Sequence, residues 1–379
     1  MPAPSSGRRV LRGVLCLALT LAASPLGAQR STGPTWTVVA PDAALAWFTV
    51  LAEWRVDGAG ALPFIDAPIG AQRRGAADAA TETVARRLRA DAARDVLHFV
   101  PLYYPSAQRA ELAAALRAAA ASAQSSTPRG TFVVAALERT LSAERRREYL
   151  TPLATALERA RPVVPDAAAL ARLQLLLDST YLPALAQLLG AERLDAGRLL
   201  IAPALGPEGR VFSASPDRSD NLVAVGAFSS DPDPEAPLLA FVREVCFPLV
   251  SRAASTAGLG PGSKDAAGRA SLAAVRCGAD VMDACLADRA ESYRRFWLRQ
   301  ASRHGLRAAD ADVPVVSRAL SAEFDRVFPV DPAFATRGAC RRALSNHSTQ
   351  VPPLSLEDFH HAVHPSVRTR SPVARVGSA

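Results

Sequence analysis

A single acid interrupts an apolar run in LLAFVREVCFPLV, residues 238–250. Glu244 follows Arg243, and Phe247 stands four residues beyond Arg243, on the same face if the run is helical. A carboxylate in such a setting is a proton-transfer group or one half of an ion pair, because an unpaired buried charge is too costly to keep. Cys246 in the same run could act as a thiolate only beside a base, and no histidine is close in sequence. Beyond Cys16 the cysteines are Cys246, Cys277, Cys285 and Cys340. An even number suits two disulfides in an oxidising compartment, and buried free thiols are the other reading. Cys277 and Cys285 lie about 12 Å apart along a helix, too far to bridge each other, so the expected bridges join Cys246 and Cys340 to that pair.

Histidines form one further group. His360, His361 and His364 occur as HHAVH, and His360 with His364 has the i, i+4 spacing of helical metal ligands. Their surroundings are rich in Pro, Ser and Arg and carry no core pattern, so they read as surface histidines of a tail, with adventitious metal binding as the other option. The acidic turn DPDPEAP brings Asp231, Asp233 and Glu235 together without calcium-loop spacing and reads as a solvated turn. Neither a G-x-S-x-G nucleophile turn nor a phosphate-cradling G-x-x-x-x-G-K loop occurs.

The elements that would position these residues follow from pattern and punctuation. Arg8, Arg9 and Arg12, then the apolar run Val14–Ala23, then small residues up to Ala28, make 1–28 a signal peptide and imply an exported protein, periplasmic or extracellular. Later apolar runs fall short of the ~20 residues a spanning helix needs, so no membrane span is expected. Without its three arginines the formal charge drops from +8 to +5. Lys264 is the one lysine, and the arginines are scattered among acids without stacking aromatics, which argues against nucleic-acid binding.

Residues 29–165 read as a helical N-terminal region. Trp47, Leu51 and Trp54 mark the buried stripe of a helix opened by Pro41-Asp42, and DGAGALPFIDAPIG at 57–70 reads as a loop. Residues 166–340 read as an α+β core. Asp166 caps a helix with a kink near Pro183; strands are expected at 198–205 and 221–228, joined by a polar link containing GPEG, and the apolar helix follows. Pro248 should kink or end that helix, and Phe324, Val327 and Phe328 mark the last packed segment. Residues 341–379 read as a loose tail. The fold class is α+β, mainly helical, with a small sheet packed on the apolar helix.

The order of helix, two strands, acidic turn and apolar helix over residues 166–300 resembles the core of zincin-type metallopeptidases, in particular secreted gluzincin-like bacterial proteins. Their helix carries H-E-x-x-H, whose two imidazoles hold zinc while the glutamate polarises the metal-bound water. In this chain REVCF aligns there. Glu244 matches the general base, whereas Arg243 and Phe247 replace both histidines and cannot ligate. The resemblance implies Glu291, in DRAESYRRFWLRQ, as the former third ligand, and a pocket containing Arg243, Glu244 and Glu291 in which the Arg243 guanidinium pairs with Glu291 where the metal sat. An ordinary Arg–Glu pair on an amphipathic helix is the alternative. The function implied is non-catalytic, with no cofactor or metal, and a peptide or protein segment binding in the former cleft, for example by strand addition near 198–205. An active hydrolase with its metal or nucleophile from elsewhere, the tail histidines in particular, is the competing function.

Overall fold

Four short strands form the sheet on which both helical layers rest. The computed structural model describes residues 33–58, 60–66, 79–104, 108–121, 135, 137–213, 221–256, 264–306 and 317–331. Residues 1–28, Cys340 and the tail with His360, His361 and His364 lie outside the described residues.

The strands are β1 (Thr35–Val39), β2 (Ala196–Ile201), β3 (Arg210–Ser213) and β4 (Asn221–Val225), in the order β1-β2-β4-β3. β1, β2 and β4 are parallel, with Thr35 opposite Ala196 and Gly197 opposite Asn221, and β3 runs antiparallel to β4, with Arg210 opposite Ala224. Two strands were not anticipated. β1 and β3 are short edge strands without a long alternating run, which leaves little periodicity to read. The strand expected at 198–205 is present but central, hydrogen-bonded on both sides, so a peptide cannot add to it as to an edge. The edges are β1 and β3.

Alternation along the strands divides the core in two. Leu200, Phe212, Leu222 and Ala224 face the N-terminal helices α1 (Asp42–Glu53), α2 (Ala79–Ala90), α4 (Arg109–Ala120) and α5 (Ala143–Arg159). Between α2 and α4, a 3-10 segment (Ala92–Phe99) runs into the single turn α3 (Val100–Tyr103). The expected α1 stripe is in place, with Trp47, Leu51 and Trp54 all buried.

On the opposite face, Leu199, Ile201, Val211, Val223 and Val225 meet α6 (Ala167–Leu176), α7 (Leu182–Ala191), α8 (Ala236–Thr256), α9 (Lys264–Cys285), α10 (Ala290–Arg303) and α11 (Ser317–Val327). The architecture is mainly helical α+β, as the sequence implied. Asp166 caps α6 by accepting from the Ala169 N–H at 2.8 Å. Ahead of Pro183 the helix carries one π-turn over Leu177–Tyr181, where the Leu182 N–H reaches back to the Leu177 carbonyl, and Pro183 sits in the first turn of α7. Phe324 and Phe328 of the last packed segment are fully buried.

α8 is buried almost all round from Ala236 to Val250, as expected for a helix that is apolar on every side. Phe241 meets the Trp36 ring edge-on at 5.1 Å, which fixes α8 against β1. The helix does not end at Pro248 but carries it internally. Packing on both sides of the helix compensates for the single lost backbone bond. Among the described residues, no helix is long and apolar enough to cross a membrane.

Candidate functional site

α8 buries both Arg243 and Glu244, each with a side chain only 1% exposed. The Glu244 carboxylate accepts from the Gly209 N–H at 3.0 Å, and the Arg243 guanidinium donates to the same oxygen, Oε1. Gly209 precedes β3 and has no room for a side chain: an added Cβ would lie 2.4 Å from the Ala224 carbonyl oxygen and 2.9 Å from Glu244 Cδ. The second guanidinium arm, Nη2, donates to Ser271 on α9, to Oγ at 3.0 Å and to the carbonyl at 3.4 Å.

Hydrogen bonds continue outward from Ser271. Its hydroxyl donates to Glu208 Oε2 at 3.0 Å, and Arg210 Nη1 donates to Glu208 Oε1 at 3.2 Å. Arg210 Nη2 lies 3.1 Å from His98 Nδ1, while His98 Nε2 lies 3.0 Å from the Val56 carbonyl. Arginine has no acceptor, so Nδ1 must accept and Nε2 must carry the proton. His98 is therefore the neutral tautomer with hydrogen on Nε2. Phe64 roofs this end, stacked on the His98 ring at 4.1 Å and on the Arg210 guanidinium at 4.2 Å.

The cluster balances two arginines against two glutamates in a setting nearly closed to water. Burial raises the Glu244 carboxyl, and the adjoining Arg243 opposes the rise. Burial pulls the Arg243 guanidinium down, yet Glu244 and Glu208 outweigh it and leave the net shift upward. Asp95, on the 3-10 segment, is raised by burial against the pull of Arg210 and Arg94, and its Oδ1 has no hydrogen-bond partner.

Of the residues singled out from sequence, Arg243, Glu244 and Phe247 come together. The Arg243 guanidinium carbon lies 5.3 Å from the centre of the Phe247 ring. Glu291 does not join them. It occupies the first turn of α10 and pairs with Arg295 one turn on, its side chain 41% exposed. The helix facing Arg243 is α9 rather than α10, and it offers Ser271 instead of a carboxylate. The predicted two-bridge scheme is not formed either, because Cys246 and Cys285 are free thiols. Cys246 is fully buried in the core between helices, and burial pushes its pKa far up, which removes it as a nucleophile. Cys277 is buried as well.

The acidic turn is tied down by arginines of the neighbouring helix. Asp231 takes both arms of Arg299, at 2.6 and 3.1 Å, and Glu235 accepts from Tyr181 at 2.8 Å and from Arg289 at 3.2 Å. Among the described residues, no group of three or more His, Cys, Asp or Glu side chains is placed to hold a metal ion.

Sequence reasoning missed Glu208, Gly209, Arg210, Ser271 and His98. The signals were thin: a Gly-flanked Glu and Arg in the link before β3, and one histidine inside the apolar DVLHFV. Comparison of the chain with protein-family models, curated proteins and solved structures returned no match.

Proposed function

We propose that this is an exported, non-catalytic protein on a degenerate metallopeptidase-like scaffold, acting by binding a peptide or protein segment. The observation that carries the reading is the Arg243 guanidinium, held between Glu244 and Ser271 with 1% of its side chain exposed. In a working H-E-x-x-H centre the glutamate faces a metal-bound water. Here one oxygen of the glutamate, Oε1, accepts both from a peptide N–H and from a cation that the chain itself supplies, with the side chain 1% exposed. A base so occupied takes no proton from water. The antiparallel edge strand β3, beginning one residue after Gly209 and lying beside α8, supports the scaffold half of the reading.

The test is metal analysis of the purified protein together with a peptidase assay with and without chelator. The reading expects sub-stoichiometric zinc and no chelator-sensitive cleavage. One tightly held zinc per chain would overturn it, and loss of that zinc in a His360→Ala, His364→Ala variant would move the chemistry to the tail.

A further inference from the structure

Residues 60–66 lie across the cluster as a second layer, and they are bound the way a peptide is bound. Ile65 forms an isolated antiparallel bridge with Leu205. The Asp66 N–H donates to the Ala204 carbonyl at 2.9 Å, the Gly206 N–H to the Phe64 carbonyl at 2.8 Å, and the Glu208 N–H to the Pro63 carbonyl at 3.2 Å. Two of these bonds flank one residue pair, the pattern of strand addition onto an exposed edge. Gly206 makes the approach possible, since a Cβ there would sit 2.4 Å from the Pro63 oxygen. Gly60 lies closer still to the Glu208 carboxylate, 1.7 Å from an added Cβ.

One side chain anchors the segment. Phe64 is fully buried in a slot walled by His98 at 4.1 Å, Arg210 at 4.2 Å and Phe48 at 5.7 Å. An aromatic ring between an imidazole, a guanidinium and a second ring is a specific receptor for Phe. The segment is held in place from its own side by Asp57, whose Oδ1 accepts from the Gly58, Phe64 and Ile65 N–H groups at 2.9, 2.7 and 3.2 Å. The pairing is a single bridge outside the four-stranded sheet rather than a ladder within it.

We infer that the recess formed by Ala204–Glu208, His98, Arg210 and Phe48 is a peptide-binding site that residues 60–66 occupy in cis. Its ligand in trans is an extended segment of another chain bearing a phenylalanine that replaces Phe64. The inference rests on the ligand-binding half of the proposed function and is independent of the fate of the metal.

The test uses the full chain with Phe64→Ala and a synthetic capped peptide, Ala-Leu-Pro-Phe-Ile-Asp, alongside the same peptide with Ala for Phe. At about a hundredfold above Kd, the Phe peptide raises the Tm of the variant by several degrees and the Ala peptide does not, while the wild type, in which Phe64 competes for the recess, shows a smaller rise with the Phe peptide and none with the Ala peptide. A folded variant that ignores millimolar Phe peptide, or answers both peptides alike, overturns the inference. Should Phe64→Ala not fold, hydrogen exchange on the wild type decides. The Asp66 and Gly206 amides then exchange by local opening, at least tenfold faster than Val223 in β4; exchange only with global unfolding overturns the inference. A zinc-bearing protein that passes the peptide test would sink the pseudo-enzyme reading alone.

Discussion

Arg243 and Glu208 are joined through a hydroxyl: Ser271 Oγ accepts from Arg243 Nη2 at 3.0 Å and donates to Glu208 Oε2 at 3.0 Å. That one oxygen connects the charge pair on α8 with the one leading into β3. Removing the cation strands Glu244 in the core. Arg243→Met should cost about 3–5 kcal/mol in chemical denaturation, the range for breaking a buried ion pair. Ser271→Ala should cost about 1–3 kcal/mol, because Glu208 and Arg243 each lose a partner at a fully buried site. Arg243→Met combined with Glu244→Gln should lose less than the sum of the two single changes. Strict additivity would show that the pair is not a unit.

Acid and alkaline limbs of the stability curve should report different buried groups, carboxyls at one end and phenols at the other. Asp95 is raised by burial, so between its unfolded value, about 4, and its higher folded value the native state holds more protons than the unfolded one. Stability therefore falls as pH rises through that window, and the burial penalty is fully present at neutral pH. Asp95→Asn should reduce this slope, which Glu244, Asp66 and Asp233, also raised by burial, share, and should stabilise the protein near pH 7, as read from urea midpoints across pH 3–7.

At the other extreme, Tyr149 is pushed up to about 12 by burial and by Asp91, to which its hydroxyl donates at 3.2 Å. From about pH 10 upward, the unfolded phenol ionises while the folded one keeps its proton, so stability drops with rising pH. Tyr149→Phe should lessen that alkaline slope, to which Tyr181 and Tyr293, also raised by burial, contribute in the same sense, at the cost of one hydrogen bond at neutral pH. A slope unchanged by the substitution would mean another group controls it.

Gln174 closes the edge of the sheet at β1. Its Oε1 accepts from the Val38 N–H at 2.6 Å and its Nε2 donates to the Trp36 carbonyl at 2.9 Å, as a neighbouring strand's peptide group would. Gln174→Ala leaves both groups open, which should cost about 1–3 kcal/mol and favour edge-to-edge pairing. Light scattering against concentration should show self-association in the variant and none in the wild type.

The free thiols should differ in reactivity. Cys285 is half-buried, whereas Cys246 is fully buried with its pKa displaced far upward. Native-state alkylation followed by peptide mapping should mark Cys285 and spare Cys246 until denaturant is added. Equal labelling would show that the α8 core opens far more readily than its packing implies.

Much of the helical layer was legible because helices announce themselves locally: the Trp47, Leu51, Trp54 stripe, the Asp166 cap and the terminal Phe324 and Phe328 all occupy the places their spacing implied. β1 and β3 were not legible, since an edge strand of five or four residues owes its conformation to partners far away in sequence. At the site, Arg243 and Glu244 stood out as charges in an apolar run. Ser271, Glu208 and His98 did not, because nothing local distinguishes a serine on an Ala-rich helix from one that links two ion pairs. Glu291 illustrates the converse: it has the right residue type on a following helix, but α9 intervenes and takes the position facing Arg243.

The first strand among the described residues also sets a clock. Trp36 of β1 donates its indole N–H to the Leu194 carbonyl 158 residues later, immediately before the neighbouring strand it pairs with begins. At the roughly 5–20 residues per second of synthesis, β1 waits unpaired for about 8 to 30 seconds after it is made, and everything resting on the sheet waits with it. The N-terminal helices can collapse in that interval, but the surface they will rest on does not yet exist.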